Sequence, residues 1–298
     1  MALLPTAAAL FARLPRPLRR HRLMTGWIRL TGQDPLQLVR IRDDAFGYAD
    51  MSDGFLRLIV IDGYYDLDFF RIADALLARG GEFLDVGANF GLLSFGLAHK
   101  HAAAVRFHLF EPIPRLLEAI GETRAGYPDM QATVNAVAVA DFDGETSFDV
   151  AEDQTGRSHI DPDGALKTPT VKLDTYLREK MIDDVALMKL DVEGYELCAL
   201  RGAAQALARR QVKAIYFEYF EKYLIRVAQP AALIAFLDDV GYEVCFCREF
   251  DLANVGGATH TLAEGLAGHG LPLRPTRNHV RPAMTDLLAV PKEHLVSL

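Results

Sequence analysis

The sequence predicts a doubly wound α/β fold: a mostly parallel sheet of seven strands with an N-terminal extension. Three observations carry that expectation. From residue 82 onward, apolar strand-like runs alternate with helix-period segments, a pattern that builds a parallel sheet covered on both faces. Phe83-Leu84-Asp85-Val86-Gly87-Ala88-Asn89-Phe90-Gly91-Leu92 reads as strand, glycine turn and helix start, with Gly87 and Gly91 where the chain must bend. Finally, Asp85, Glu111, Asp191, Glu193 and Glu218 fall at the carboxyl ends of these runs, the rim where ligands bind in such sheets. Carboxylates are rarely buried unpaired, so packing alone does not call for them there.

At 298 residues the chain can form one large domain, or one domain with an extension. It is 50% apolar and 24% charged, as a well-packed globular chain should be. A net charge of −8 argues against a nucleic-acid scanning surface, which would be basic. Three cysteines, Cys198, Cys245 and Cys247, make no disulfide framework and fit a reducing, cytoplasmic setting. Cys245 and Cys247 alternate along a strand, so adjacent burial on one face is expected rather than a metal site. No ligand spacing anywhere demands a metal. No run reaches the ~18–20 apolar residues of a membrane span.

In chain order, residues 1–30 read as a basic, flexible tail. An Ala/Leu-rich start precedes Arg13, Arg16, Arg19, Arg20, His21 and Arg22, and Pro15 and Pro17 break any long helix. A secretory signal would put its charge first. A disordered tail, a weak contact with an anionic membrane surface and a transit-like peptide all remain open. Residues 31–80 should supply strands at Leu38–Ile41 and Phe55–Ile61, then a helix from Leu67 to about Ala78. Asp66 would cap that helix, and Gly80-Gly81 would end it. Residues 81–298 form the main domain. Its remaining strands are expected at Val105–Phe110, Ala132–Val139, Val185–Leu190, Val212–Phe217, Glu243–Cys247 and Asp286–Val290. Between Asp141 and Asp184, Glu145–Val150 and Thr168–Leu173 read as a small antiparallel excursion around a polar loop, residues 153–159. The segment from Val255 to Arg281 has little periodicity.

A dinucleotide fingerprint needs a second glycine where this turn has Asn89, and Asp85 would repel phosphate. The turn therefore suits a cationic, phosphate-free nucleoside, S-adenosylmethionine (SAM). Asp85, Gly87, Asn89 and Gly91 are its candidate contacts. Glu111 is placed to accept ribose hydroxyls, though NAD would use the same logic. Asn135, Ala138, Val139 and Asp141 are candidates for the adenine end. Lys189-Leu190-Asp191-Val192-Glu193-Gly194-Tyr195-Glu196 is the second information-rich stretch. Methyl transfer to a hydroxyl needs an aligned acceptor and a base. Asp191, Glu193, Glu218 and His159 are the candidates, while Glu196 reads as a helix N-terminal acid. Lys189 is expected to pair with Glu218 across neighbouring strands.

Phe83–Gly91, Phe110-Glu111-Pro112, Asn135-Ala136, Val171-Lys172-Leu173-Asp174 and above all Lys189–Glu196 followed by Leu200–Ala203 resemble the FkbM-type SAM-dependent methyltransferases. The resemblance runs over roughly residues 65–250. It implies a class I methyltransferase (Rossmann-like) fold and O-methylation of a hydroxyl on a saccharide, glycolipid or natural product. It also puts Asp85, Gly87, Asn89, Gly91 and Glu111 on the cofactor, and Asp191 and Glu193 near the transferred methyl. Thr155-Gly156-Arg157-Ser158 matches a small-residue loop of the family. Two other readings stay open: a SAM- or nucleoside-binding module without turnover, and an N-methyltransferase. The acceptor is expected to be a small molecule or saccharide, not nucleic acid, because no Asn/Asp-Pro-Pro-aromatic run follows the fourth strand.

Overall fold

Seven strands form the central sheet, in the spatial order Tyr242–Phe246, Met284–Pro291, Ile215–Phe220, Val185–Leu190, Gly81–Val86, Val105–Phe110 and Ala132–Asn135. The structure is a computed structural model and describes residues 20–32, 34–54, 67–151, 155–246 and 284–294. The strands are β3 (Gly81–Val86), β4 (Val105–Phe110), β5 (Ala132–Asn135), β10 (Val185–Leu190), β11 (Ile215–Phe220), β12 (Tyr242–Phe246) and β13 (Met284–Pro291). The pairs β11/β10, β10/β3, β3/β4 and β4/β5 are parallel, and β13 runs antiparallel between β11 and β12. Side chains alternate faces along a strand. Phe83 accordingly joins one buried cluster with Phe69, Phe95 and Phe107, whereas Leu84 and Val86 join another with Phe110, Met188 and Phe217.

Ahead of the sheet lie α1 (Arg20–Thr31), the antiparallel hairpin of β1 (Leu36–Arg42) and β2 (Ala45–Asp50), and α2 (Leu67–Leu76). The hairpin packs on α3 (Leu92–His101) and α4 (Pro114–Arg124). The Tyr48 amide donates to Thr123 Oγ1 at 2.8 Å, and the Tyr127 hydroxyl donates to the Phe46 carbonyl at 2.7 Å. Between β5 and β10 a second sheet forms from β6 (Ala138–Val139), β7 (Gly144–Asp149), β8 (His159–Ile160) and β9 (Leu166–Val171). The remaining helices are α5 (Leu173–Glu179), α6 (Glu196–Gly202), α7 (Ala204–Ala208), α8 (Glu221–Leu224) and α9 (Ala231–Asp239).

Several expectations shift. The presumed tail is helical from Arg20, just beyond Pro17, and Ile28 packs into the core. The second strand of the hairpin is Ala45–Asp50. The expected strand at Phe55–Ile61, the Asp66 cap, Cys247 and the segment from Val255 to Arg281 lie outside the described residues, as do residues 1–19. The apolar run Ala132–Val139 splits: β5 stops at Asn135, and Ala138-Val139 pairs with Thr170-Val171 in the second sheet. Val212 makes only an isolated bridge to Val185, so the next strand starts at Ile215 and Glu218 sits inside it rather than at its end. Among the described residues no helix is long and apolar enough to cross a membrane.

Candidate functional site

The turn after β3 is held from below. Gly87 has φ +77°, and a Cβ there would collide with the Asp191 carbonyl oxygen. Only glycine lets the ends of β3 and β10 approach this closely. Asn89 and Gly91 also adopt positive φ, 54° and 69°. Asp85 is fully buried and accepts a hydrogen bond from Ser94 Oγ at 2.6 Å. The Lys189 ammonium lies 3.7 Å from Asp85 Oδ1 and 3.3 Å from Asp191 Oδ2, and donates to the Gly87 carbonyl at 2.8 Å. Burial pushes the Asp85 carboxyl up, against the pull of Lys189. Lys189 itself is held above its usual range by the Asp191 and Asp85 charges despite its own burial.

Above this turn, beyond the strand ends, lies a cavity that opens to solvent. Gly87, Asn89 and Glu111 line it with Val137 and with Ala138 and Val139 of β6; Phe148 and Ile160 come from β7 and β8, and Thr155, Gly156 and Ser158 from the connection between those two strands. Asp191, Val192, Glu193 and Tyr195, from the loop after β10, complete the lining. Among the described residues the wall carries three carboxylates and no lysine, arginine or histidine. Such a wall suits a cationic nucleoside and disfavours phosphates. Glu111 Oε2 accepts the Asn89 amide at 2.8 Å and Oε1 accepts the Ile113 amide at 2.9 Å. Burial pushes Glu111 up to about 7, against those two hydrogen bonds. Each oxygen keeps a lone pair for a ligand hydroxyl.

The loop after β10 concentrates acid. Glu193 has φ +54° and Gly194 φ +100°. Glu196 folds back so that Oε1 accepts the Val192 and Gly194 amides at 3.1 and 3.2 Å. Arg226 Nη1 donates to the Glu193 carbonyl at 2.7 Å. One carboxylate oxygen each from Asp191, Glu193 and Glu218 lie within 4.8 Å of one another. Burial raises both Glu193 and Glu218, and the neighbouring Asp191 charge adds to it, so the group retains protons that isolated glutamates would lose. Burial also raises Glu196 to about 7.

The structure brings Gly87, Asn89, Glu111, Asp191 and Glu193 together on one wall. Gly91 stands behind it as the N-cap of α3, and Asp85 lies beneath the turn, hydrogen-bonded to Ser94 and off the cavity wall. Asn135 is turned away from the cavity: its amide nitrogen donates to the Leu109 carbonyl at 3.0 Å and to the Tyr176 hydroxyl at 3.3 Å, which ties β5 to β4. Asp141 is exposed past β6 and off the wall; Val137, which sequence reasoning passed over, lines the cavity instead. Glu218 reaches the acid cluster from inside β11 without lining the cavity. His159 is also off the wall, its Nδ1 3.0 Å from the Arg157 carbonyl oxygen and its ring 6.3 Å from that of Tyr195. Lys189 pairs with Asp85 and Asp191, not with Glu218, because the parallel β10–β3 register sets Lys189 beside Asp85. Glu196 does more than favour a helix dipole, since it braces the loop that carries Glu193. Phe148, Ile160 and Tyr195 were not legible as wall residues, because their separation along the chain hides their convergence.

The sequence matches the Methyltransferase FkbM domain family over residues 85–244, more than half of the chain. No curated protein gives a significant match. Among solved structures, methyltransferase FkbM from Methylobacillus flagellatus KT aligns at 16% identity and a TM-score of 0.42; 71% of this chain is covered, but only 44% of that one. Precorrin-6y C5,15-methyltransferase from Geobacter metallireducens GS-15 aligns at 13% identity and a TM-score of 0.40, over 76% of this chain and 89% of that one. A TehB-like SAM-dependent methyltransferase from Corynebacterium glutamicum ATCC 13032 Kitasato aligns at 15% identity and 0.39, over 79% and 92%. The family match, together with the strand order and the acid-rimmed glycine turn, supports one conclusion: this chain belongs to the FkbM methyltransferase family and has the class I methyltransferase, Rossmann-like fold.

Proposed function

We propose that the cavity binds SAM and that the protein methylates a hydroxyl on a saccharide, glycolipid or other small molecule. The observation that carries this reading is the cavity wall: the glycine turn, Glu111, Asp191 and Glu193 line it, with no basic side chain among the described lining residues. Bound SAM would supply a methyl carbon on a sulfonium, which passes to the acceptor oxygen as the sulfur–carbon bond breaks. Glu111 would accept the ribose hydroxyls, and Val137, Ala138 and Val139 offer an apolar shelf for the adenine. Asp191 and Glu193 would orient the acceptor hydroxyl, and whichever of them is ionised would take its proton. A positioned base of this kind is worth roughly 10²–10⁴-fold. Glu218 would tune that pair by proton sharing from behind the wall.

Calorimetric titration with SAM and, separately, with NAD⁺ tests the cofactor, with Glu111→Ala alongside. Micromolar SAM binding that the variant weakens, with no NAD⁺ binding, is the expected result. A chain that binds NAD⁺ and not SAM would overturn the reading. Methyl transfer from labelled SAM to a panel of neutral saccharides, glycolipids and matched amines then tests the acceptor. Label found on nitrogen alone would replace O-methylation with N-methylation.

A further inference from the structure

The segment that matches the family starts at residue 85, yet one contact to the cavity comes from well before it. Asp53 follows β2 and is only 3% exposed. Its Oδ2 accepts both the backbone amide of Thr155, at 2.6 Å, and the Thr155 hydroxyl, at 2.9 Å. The same hydroxyl oxygen lies 3.2 Å from Asn89 Oδ1. Thr155 opens a short 3₁₀ turn, Thr155–Arg157, whose Thr155 and Gly156 line the cavity. At Gly156 a Cβ would sit 3.4 Å from Glu193 Oε1. The turn therefore spans the cavity from the glycine turn at Asn89 to the acid loop at Glu193. A buried carboxylate taking two hydrogen bonds from one residue is a strong, geometrically specific anchor.

We infer that Asp53 is a positioning residue: it pins the Thr155–Arg157 turn between Asn89 and Glu193, so that the N-terminal extension completes the cavity built by the family domain. Its ligand readout rests on the SAM reading above. Asp53 touches no ligand in this account and acts through Thr155. Asp53→Asn keeps the shape but weakens the acceptor, Asp53→Ala removes it, and Thr155→Val removes the hydroxyl arm. Thr155→Ser retains both arms. Because the anchor links two residues, their effects should be coupled.

The test is SAM titration of wild type, Asp53→Asn, Asp53→Ala, Thr155→Val, Thr155→Ser and the Asp53→Ala/Thr155→Val pair, with amide hydrogen exchange followed over residues 151–160 in each. SAM affinity should fall about tenfold in Asp53→Ala and less in Asp53→Asn. Thr155→Ser should match wild type, and the double variant should be no weaker than the worse single one. Exchange at residues 155–158 should quicken in Asp53→Ala while that of β3 and β10 stays put. Unchanged exchange there, or fully additive losses of affinity, would overturn the inference. If wild type binds no SAM, the cofactor reading falls by itself, and the exchange data still decide whether Asp53 pins the turn. If Asp53→Ala does not fold, Asp53→Asn and Thr155→Val carry both measurements.

Discussion

Glu111 shows how one carboxylate can be both structural and available. Two backbone amides hold it, yet it faces the cavity and is pushed up to about 7 by burial. Glu111→Ala should weaken SAM binding at least tenfold, about 1.4 kcal/mol, read by calorimetry. Glu196 is a second raised carboxyl, moved from 4.5 to about 7. The folded chain keeps that proton where the unfolded chain has lost it. Stability should therefore fall as pH rises from 4.5 to 7, by up to ~1.4 kcal/mol per pH unit for such a group, and level off above. Below 4.5 both states are protonated and the cost vanishes. Glu196→Gln should make this slope shallower, leaving the share of Glu111, Glu193 and Glu218, because an amide does not titrate and can still accept the Val192 and Gly194 amides. Urea unfolding midpoints at pH 5 and pH 7.5 measure it; an unchanged slope would assign the effect elsewhere. Gly87→Ala should fail differently: its Cβ meets the Asp191 carbonyl, so both stability and SAM binding should drop.

At the scale of elements, the loop after β10 stores strain where the chemistry is proposed. Glu193 holds a left-handed conformation in which a non-glycine residue is uncommon, and its carboxyl crowds against Asp191 and Glu218. Asparagine tolerates that conformation and carries no charge. Glu193→Asn should therefore raise the thermal midpoint while lowering turnover by about 10²-fold or more. A loss of stability with turnover intact would remove Glu193 from the proposed chemistry. The sequence marked this loop clearly through its dense Lys-Leu-Asp-Val-Glu-Gly-Tyr-Glu pattern. It did not reveal that Glu196 braces the loop, since a helix N-terminal acid and a back-folded brace look alike in sequence. The boundaries of β5 and β11 differ from expectation for local reasons too: the apolar run of β5 continues after the backbone leaves the sheet, whereas β11 stays in the sheet through the charged Glu218 to Phe220.

For the whole molecule, β13 is the element that joins the sheet, since it pairs with both β11 and β12. A chain ended before Met284 would expose two strand edges and their apolar faces. It should lose its cooperative thermal transition by circular dichroism and aggregate in size-exclusion chromatography; a folded, monodisperse truncated chain would show that β13 is dispensable. By itself the sequence determined the α/β class, the seven-strand sheet, the glycine turn and the acidic loop, because period, glycine placement and short motifs are local and survive in one dimension. Only the tertiary structure decided which carboxylates face the cavity, that Asn135 and Asp141 do not, that Lys189 serves Asp85 and Asp191, and that Asp53 reaches Thr155. Those outcomes depend on strand register and on contacts between residues as much as 104 positions apart, where a side chain's role is set by what the fold brings next to it.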